Sequence, residues 1–261
     1  MIDALYLGSS GMSAQQSHLE TVANNLANMN TTGFKRSRVV FEDLMARETG
    51  VLAGPLAEDS PGSVMLGGGV RVASIDTVFV QGDLRQTDSP MDLAINGPGF
   101  VEVTRADGSV AYSRAGTLRV NDDGLLALGN GVPLNPPISV PADTRQLTIG
   151  RDGKVSVVAG GDSRPVEIGR VELAMFNSPV NLKPLGEGLY EATAQSGEAQ
   201  LGQAGESGRG VLAQKYLEGS NVKMADEVVS MMLAQRAFEA NAKIIQAADE
   251  MLAISNNLRR G

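Results

Sequence analysis

Residues 220–260 read SNVKMADEVVSMMLAQRAFEANAKIIQAADEMLAISNNLRR, with no glycine or proline to interrupt a helix. Met224, Met231, Phe238, Ile245 and Leu252 recur every seventh residue, and Ala237, Ile244, Met251 and Leu258 form a second series of the same period. A seven-residue repeat keeps one apolar seam turned towards a partner helix. Ser220 or Asn221 can cap the start. Asp226 and Glu227 near the first turn, and Arg259 and Arg260 at the end, suit the helix dipole. At 1.5 Å per residue such a helix is about 55 Å long.

One seam does not use up the apolar residues. From 222 to 258, 22 of 37 residues are apolar and eight are charged. Val228, Val229, Met232, Leu233 and Ile254 fall off the seam. A helix that is apolar most of the way round is buried most of the way round. A single partner helix covers only one stripe, so the pattern implies either further chains or an ordinary helical hairpin with other cover.

The other end repeats the theme. Residues 12–32 also lack glycine and proline, and a helix is expected over 2–29. Leu5, Met12, Leu19 and Leu26 are spaced at seven, with Val22 and Met29 as a second rail. Gly8, Ser9, Ser10 and Gly11 weaken the helix by itself but permit close backbone approach. Gly33 can end it in a left-handed cap.

Between the ends the pattern changes. All eleven prolines lie between Pro55 and Pro184. Short apolar runs at 100–103, 110–113, 118–120, 147–149, 155–158 and 166–176 are separated by turn signals. Ala106-Asp107-Gly108, Asp122-Asp123-Gly124 and Arg151-Asp152-Gly153 are of the hairpin type. Residues 46–69 are rich in Gly, Pro and Ser and read as an extended linker, and 195–209 as a loop. The fold class is therefore α+β: N- and C-terminal helices paired as a coiled coil, a central antiparallel all-β domain and an extended linker. The boundaries are 1–33 for the first helix, 34–69 for the linker, 70–210 for the β domain and 211–261 for the second helix.

The chain has 261 residues and a formal charge of −8, a poor match to nucleic acid, which needs clustered Lys and Arg. With no cysteine there is neither a disulfide framework nor a Cys zinc site. Aromatic residues are only 4% and Trp is absent, so a core must rest on aliphatic side chains. The start, Met1-Ile2-Asp3-Ala4-Leu5-Tyr6-Leu7, is acidic where a cleaved signal is basic, so no cleaved signal peptide is expected. No apolar run of about 18 residues suggests a membrane span.

Catalytic, cofactor and metal sites are not expected. His18 is the only histidine, which leaves a helix-surface or interface role. Gly67-Gly68-Gly69 precedes a strand rather than linking strand to helix. Gly150-Arg151-Asp152-Gly153-Lys154 lacks the phosphate-loop spacing, because Thr148 stands where the first glycine would be. Asn121-Asp122-Asp123-Gly124 lacks the calcium-loop pattern.

Two long motifs remain. Near the first helix are Ala23-Asn24-Asn25-Leu26-Ala27-Asn28 and Thr31-Thr32-Gly33-Phe34-Lys35-Arg36. Near the second are Leu217-Glu218-Gly219-Ser220-Asn221-Val222 and Ala234-Gln235-Arg236-Ala237-Phe238-Glu239-Ala240-Asn241. On these the chain resembles the bacterial flagellar axial family of rod and hook proteins. Gly33-Phe34-Lys35-Arg36, Phe41-Glu42-Asp43-Leu44, Gln81-Gly82-Asp83-Leu84 and Leu93-Ala94-Ile95-Asn96-Gly97-Pro98-Gly99-Phe100 are most like its distal-rod branch.

The resemblance implies a non-enzymatic subunit without cofactors. Such a subunit is exported by the flagellar type III apparatus and assembles into a helical homopolymer in the basal body, crossing the periplasm. It implies contacts with the proximal rod protein, the hook protein, the P-ring and L-ring proteins and a rod cap protein. Terminal helices would line the inner tube and the β domain the outer wall; the 46–69 stretch would brace neighbours. A proximal rod protein shares these ends, a hook protein carries a larger middle, and a secreted enzyme with a β domain would need polar residues converging in a cleft. The assembly interface is expected at Leu5, Met12, Leu19, Asn24, Asn25, Leu26, Asn28, Phe34, Met224, Met231, Phe238, Asn241, Ile245 and Leu252. Asn24, Asn25, Asn28 and Asn241 either bond across helices to fix register or cap and face solvent. Phe34 and Phe238 are either anchors between chains or packing within one.

Overall fold

The computed structural model describes residues 2–44, 47–49, 64–160 and 164–258. Helices stand at both ends: α1 spans Ile2–Ala27 and α2 spans Met224–Leu258. Among the described residues every other regular element, apart from a short 3-10 turn at Pro179–Asn181, is a strand. The chain divides into two compact units. Unit 1 holds residues 1–27, 37–76 and 223–261; unit 2 holds 28–36 and 77–222.

In unit 1 the helices run antiparallel side by side. Asn25 meets Glu227 at one end, while Gly11 lies against Asn241 and Gly8 against Ile245 further along. Strand Ser37–Asp43 pairs with strand Val70–Thr77. Its run Val39-Val40-Phe41 has the β-branched and aromatic character that favours extended backbone. Val39 is buried, and the edge of the His18 ring packs on Phe41 with centroids 5.8 Å apart. Leu44 and Gly69 continue the pairing, and strands Arg47–Thr49 and Val64–Leu66 extend it antiparallel. The described part of the expected linker thus takes β structure; residues 45–46 and 50–63 of it lie outside the described residues.

Unit 2 is antiparallel throughout its registered strand pairs. One sheet orders Leu126–Leu128, Ala115–Val120, Asp92–Asn96 and Val211–Gln214. A six-stranded sheet orders Lys183–Gly186, Leu189–Glu191, Val110–Ser113, Phe100–Thr104, Glu172–Met175 and Gln200–Gln203. A third joins Thr144–Ile149, Lys154–Ala159 and Val166–Arg170. Leu93, Ile95, Val101, Val103, Leu126, Val155, Leu173 and Leu212 come from all three and form one core, with Leu93, Ile95, Val103, Leu126, Val155 and Leu173 at 0% exposure. Alternation along Phe100–Thr104 puts Val101 and Val103 into that core. Phe100 turns to the other face, where it meets Phe79, Phe176 and Tyr190 edge to face.

Two sequence expectations shift. The long run 166–176 is two strands broken at Val171, because Val171 donates its amide to Gly153 O (2.8 Å). Residues 211–218 fall within the 211–261 range expected for the second helix, yet they form strands Val211–Gln214 and Tyr216–Glu218 of unit 2. Asn221 does not cap α2, which begins at Met224; its side chain is spent inside unit 2.

Burial pushes the Tyr190 hydroxyl from 10.0 up to about 12. Burial, assisted by the Glu102 carboxylate, does the same to Tyr112. In the folded chain both keep their protons where the unfolded chain, with ordinary phenols, has lost them. Their stabilisation is complete below pH 10 and is lost as pH rises through about 12. In an alkaline titration followed by tyrosinate absorbance, two of the four tyrosines should therefore ionise only as unit 2 unfolds. Tyr190→Phe should remove one of these late steps.

Candidate functional site

Glu218 ends strand Tyr216–Glu218, which pairs with Leu84–Gln86 so that Glu218 stands opposite Leu84. Its carboxylate is 1% exposed, and both oxygens are fully engaged. Oε1 accepts from Lys35 Nζ at 2.6 Å and from the Gly82 amide at 2.9 Å. Oε2 accepts from Arg114 Nε at 3.0 Å, with Nη2 at 2.9 Å. Lys35 also donates to Val80 O, and Arg114 to the carbonyls of Ile95, Gly97 and Gly99. The Glu218 carbonyl accepts from the Gly33 amide. Burial lowers the proton affinity of Lys35 below that of a free lysine, and Glu218 opposes the shift by hydrogen bond and charge.

Asn221 makes a second junction three residues on. It accepts from the Arg36 amide at 2.7 Å and donates to Val78 O and Val80 O at 2.8 and 3.0 Å. Gly82 is obligatory here, because a Cβ on it would lie 2.0 Å from Gly219 O. Four separated stretches thus converge around Arg114 within unit 2: 33–36, 80–82, 95–99 and 217–221. Each contains residues singled out in the sequence, but the ionic hub itself was not anticipated. The available signal was a charged residue set between apolar and glycine neighbours, as in Tyr216-Leu217-Glu218-Gly219.

In unit 1 the candidate interface residues separate into groups. Leu5, Met12, Leu19 and Leu26 are half-buried along α1, and so are Met231, Phe238, Asn241, Ile245 and Leu252 along α2. Met224 is exposed. The most buried α2 positions form a different seven-spaced rail: Glu227, Ala234 and Ala248, with half-buried Asn241 between them. Opposite lie small or polar residues of α1. A Cβ on Gly11 would come within 2.7 Å of Asn241 Nδ2, and one on Gly8 within 2.7 Å of Ile245 Cγ1. Of the second series noted in the sequence, Ile244 and Met251 are about half exposed and Ala237 is half-buried.

The asparagines differ. Asn25 is buried and bridges the helices, its Nδ2 donating to Glu227 Oε2 at 3.2 Å. Asn24 is exposed. Asn28 belongs to unit 2, where its Oδ1 accepts from Thr31 Oγ1, a helix-end role. Phe34, also in unit 2, is half-buried. On α2, Val229, Leu233, Ile244, Met251 and Ile254 are 49–62% exposed and recur at intervals of three, four, seven and eleven. They form a second apolar stripe roughly a third of a turn from the seam at 100° per residue. Among the described residues no group of His, Cys, Asp and Glu is arranged to hold a metal ion.

Three family models match the chain at the places where this architecture is built. "Flagella basal body rod protein" covers residues 5–35, "Flagellar hook protein FlgE/F/G D1 domain" covers 94–157, and "Flagellar basal body rod FlgEFG protein C-terminal" covers 213–258. The flagellar basal-body rod protein FlgG of Buchnera aphidicola subsp. Schizaphis graminum is 43% identical over 255 residues, 97% of this chain and 98% of that protein. The chain belongs to the FlgG family of flagellar basal-body rod proteins. FlgG of Caulobacter vibrioides is 40% identical over 261 residues, 99% of this chain and 100% of that protein. FlgF of the same organism is 33% identical over 256 residues, 96% of this chain and 95% of that protein. The FlgG family is structural rather than enzymatic.

Removing one partner of a buried ion pair leaves an uncompensated charge and costs about 3–5 kcal/mol. Glu218→Ala should therefore lower the unfolding free energy of unit 2, read from urea denaturation, by an amount in that range. The triple variant Lys35→Met, Arg114→Met, Glu218→Leu should recover most of the loss. Gly11→Leu should instead weaken the helix pair, read as lost helical signal with the β signal retained.

Proposed function

We propose that the chain is a structural subunit of the distal rod of the flagellar basal body. It polymerises helically through its terminal helices into a stiff hollow drive shaft that transmits torque to the hook. The observation that carries this reading is the exposed apolar stripe of α2. Val229, Leu233, Ile244, Met251 and Ile254 are turned away from α1, and a surface of this kind calls for cover by other chains. Contacts between different faces of identical subunits generate a helical filament when the rotation does not close. The antiparallel packing of α1 on α2 supports a coiled-coil pair as the repeating element, with Leu5, Met12, Leu19, Leu26, Met231, Phe238, Ile245 and Leu252 flanking its seam.

The distal assignment draws on the full-length likeness to FlgG proteins, which exceeds the likeness to FlgF within one organism, 40% against 33%. In this reading the subunit is exported by the type III apparatus and crosses the periplasm as part of the rod. It meets the proximal rod protein below, the hook protein above and the P-ring and L-ring proteins around it, with a rod cap protein guiding assembly.

In-frame deletion of the gene, followed by electron microscopy of purified basal bodies, tests the assignment. A truncated rod without hook or outer ring is expected. A complete hook–basal body on motile cells would refute it, and loss of the whole rod would move the chain to a proximal position. Leu233, at 62% exposure, offers a narrower test. Leu233→Asp should leave both units folded by circular dichroism, yet abolish rod assembly and motility. Normal swimming from that variant would remove the stripe from the interface.

A further inference from the structure

We infer that Glu227, held by Asn25, selects the axial register of the helix pair, and that Asn25 ties this register to the strand that follows α1. Glu227 is 0% exposed and Asn25 1%. A carboxylate and an amide buried at the end of a helix seam are costly unless bonded, so the seam must gain something other than stability from them. Asn25 makes three bonds at once. Its Nδ2 donates to Glu227 Oε2 at 3.2 Å and to Ser37 O at 2.8 Å, and its Oδ1 accepts from the Ser37 amide at 2.8 Å. The amide therefore takes the place of a neighbouring strand for Ser37, the first residue of Ser37–Asp43, while it reaches α2 on its other side.

The rest of the seam selects register weakly. Its rail on α2 is Glu227, Ala234, Asn241, Ala248, spaced at seven, and the contacts of Asn25 with Glu227 and of Gly11 with Asn241 fix the antiparallel alignment. The same spacing brings His18 level with Ala234. A slip of one heptad would exchange one small or half-buried residue for another along most of this rail, because small residues accept many neighbours. It would, however, carry Glu227 away from Asn25, level with His18 in one direction and past the last residue of α1 in the other, and so take that donor from its carboxylate. The polar pair thus excludes the slipped states at some cost in stability. The inference rests on the assembly reading only for its consequence: a slip would also displace the exposed α2 stripe by a heptad relative to α1.

The chain contains no cysteine, so engineered cross-links report register without background. In the full-length protein, Gly8→Cys with Ile245→Cys reports the native register. Gly8→Cys with Leu252→Cys or Phe238→Cys reports the two slips, with Ile245→Ala making room for the new side chain in those pairs. Only the native pair should cross-link in the otherwise unchanged chain. With Asn25→Leu and Glu227→Leu added, the native-to-slipped ratio should fall at least about tenfold, equivalent to about 1.4 kcal/mol between registers, while the thermal midpoint of the helical signal does not fall. Glu227→Gln, which keeps an oxygen to accept from Asn25, should restore the native pair alone. Slipped cross-links in the unchanged chain, exclusive native cross-linking in the double-leucine variant, no native cross-link at all, or no rescue by Gln would each overturn the inference. The readout needs no polymer, so a failure of the assembly reading leaves it intact.

Discussion

A single buried carboxylate organises unit 2. Glu218 accepts from Lys35, Arg114 and the Gly82 amide, and these donors lie 183, 104 and 136 residues away in sequence. Two cations and one anion are enclosed together, an arrangement that is tolerable only because backbone carbonyls take up the donors left over. Such a cluster is a demanding constraint on folding. Segments 33–36, 80–82, 95–99 and 217–221, together with Arg114, must all arrive before the whole cluster is satisfied, and the loop-closure entropy of every long connection is met by the same few bonds. The β sheets supply the apolar core, but the hub decides where the chain enters and leaves it.

Unit 1 follows a different logic. Its seam contains glycine, alanine and asparagine where the largest apolar residues were expected, so the helices approach closely and leave Val229, Leu233, Ile244, Met251 and Ile254 outside. The apolar surplus of α2 is thus not absorbed by its intrachain partner. A subunit intended to remain single gains nothing from that exposure, whereas a subunit of a polymer needs it. The FlgG family relationship and the stripe therefore point the same way from independent grounds.

Asn25 and Asn221 act alike in the two units. Each uses one short amide to satisfy backbone groups on a segment distant in the fold, Ser37 in one case and Arg36, Val78 and Val80 in the other. Their neighbours Asn24 and Asn28 carry the same side chain in the same motif without that burial: the former is exposed, the latter bonds locally to Thr31. Residue type alone does not separate them, because a helix turns 100° between Asn24 and Asn25, and Asn28 lies beyond the last residue of α1.

The sequence by itself determined the helix at each end, the antiparallel β character of the middle, the turn glycines and the family. These follow from local facts: an unbroken period of seven, alternation over a few residues, and dipeptides with a fixed turn preference. Strands such as Asp92–Asn96, Gln200–Gln203 and Tyr216–Glu218 were not legible, because residues buried on both faces or placed at sheet edges show no alternation. Tertiary structure alone decided which seven-spaced rail of α2 faces α1, since periodicity gives the interval but not the phase. It also decided that Glu218, Lys35 and Arg114 meet, because a buried charge is defined by partners more than a hundred residues away and leaves no periodic trace in the chain.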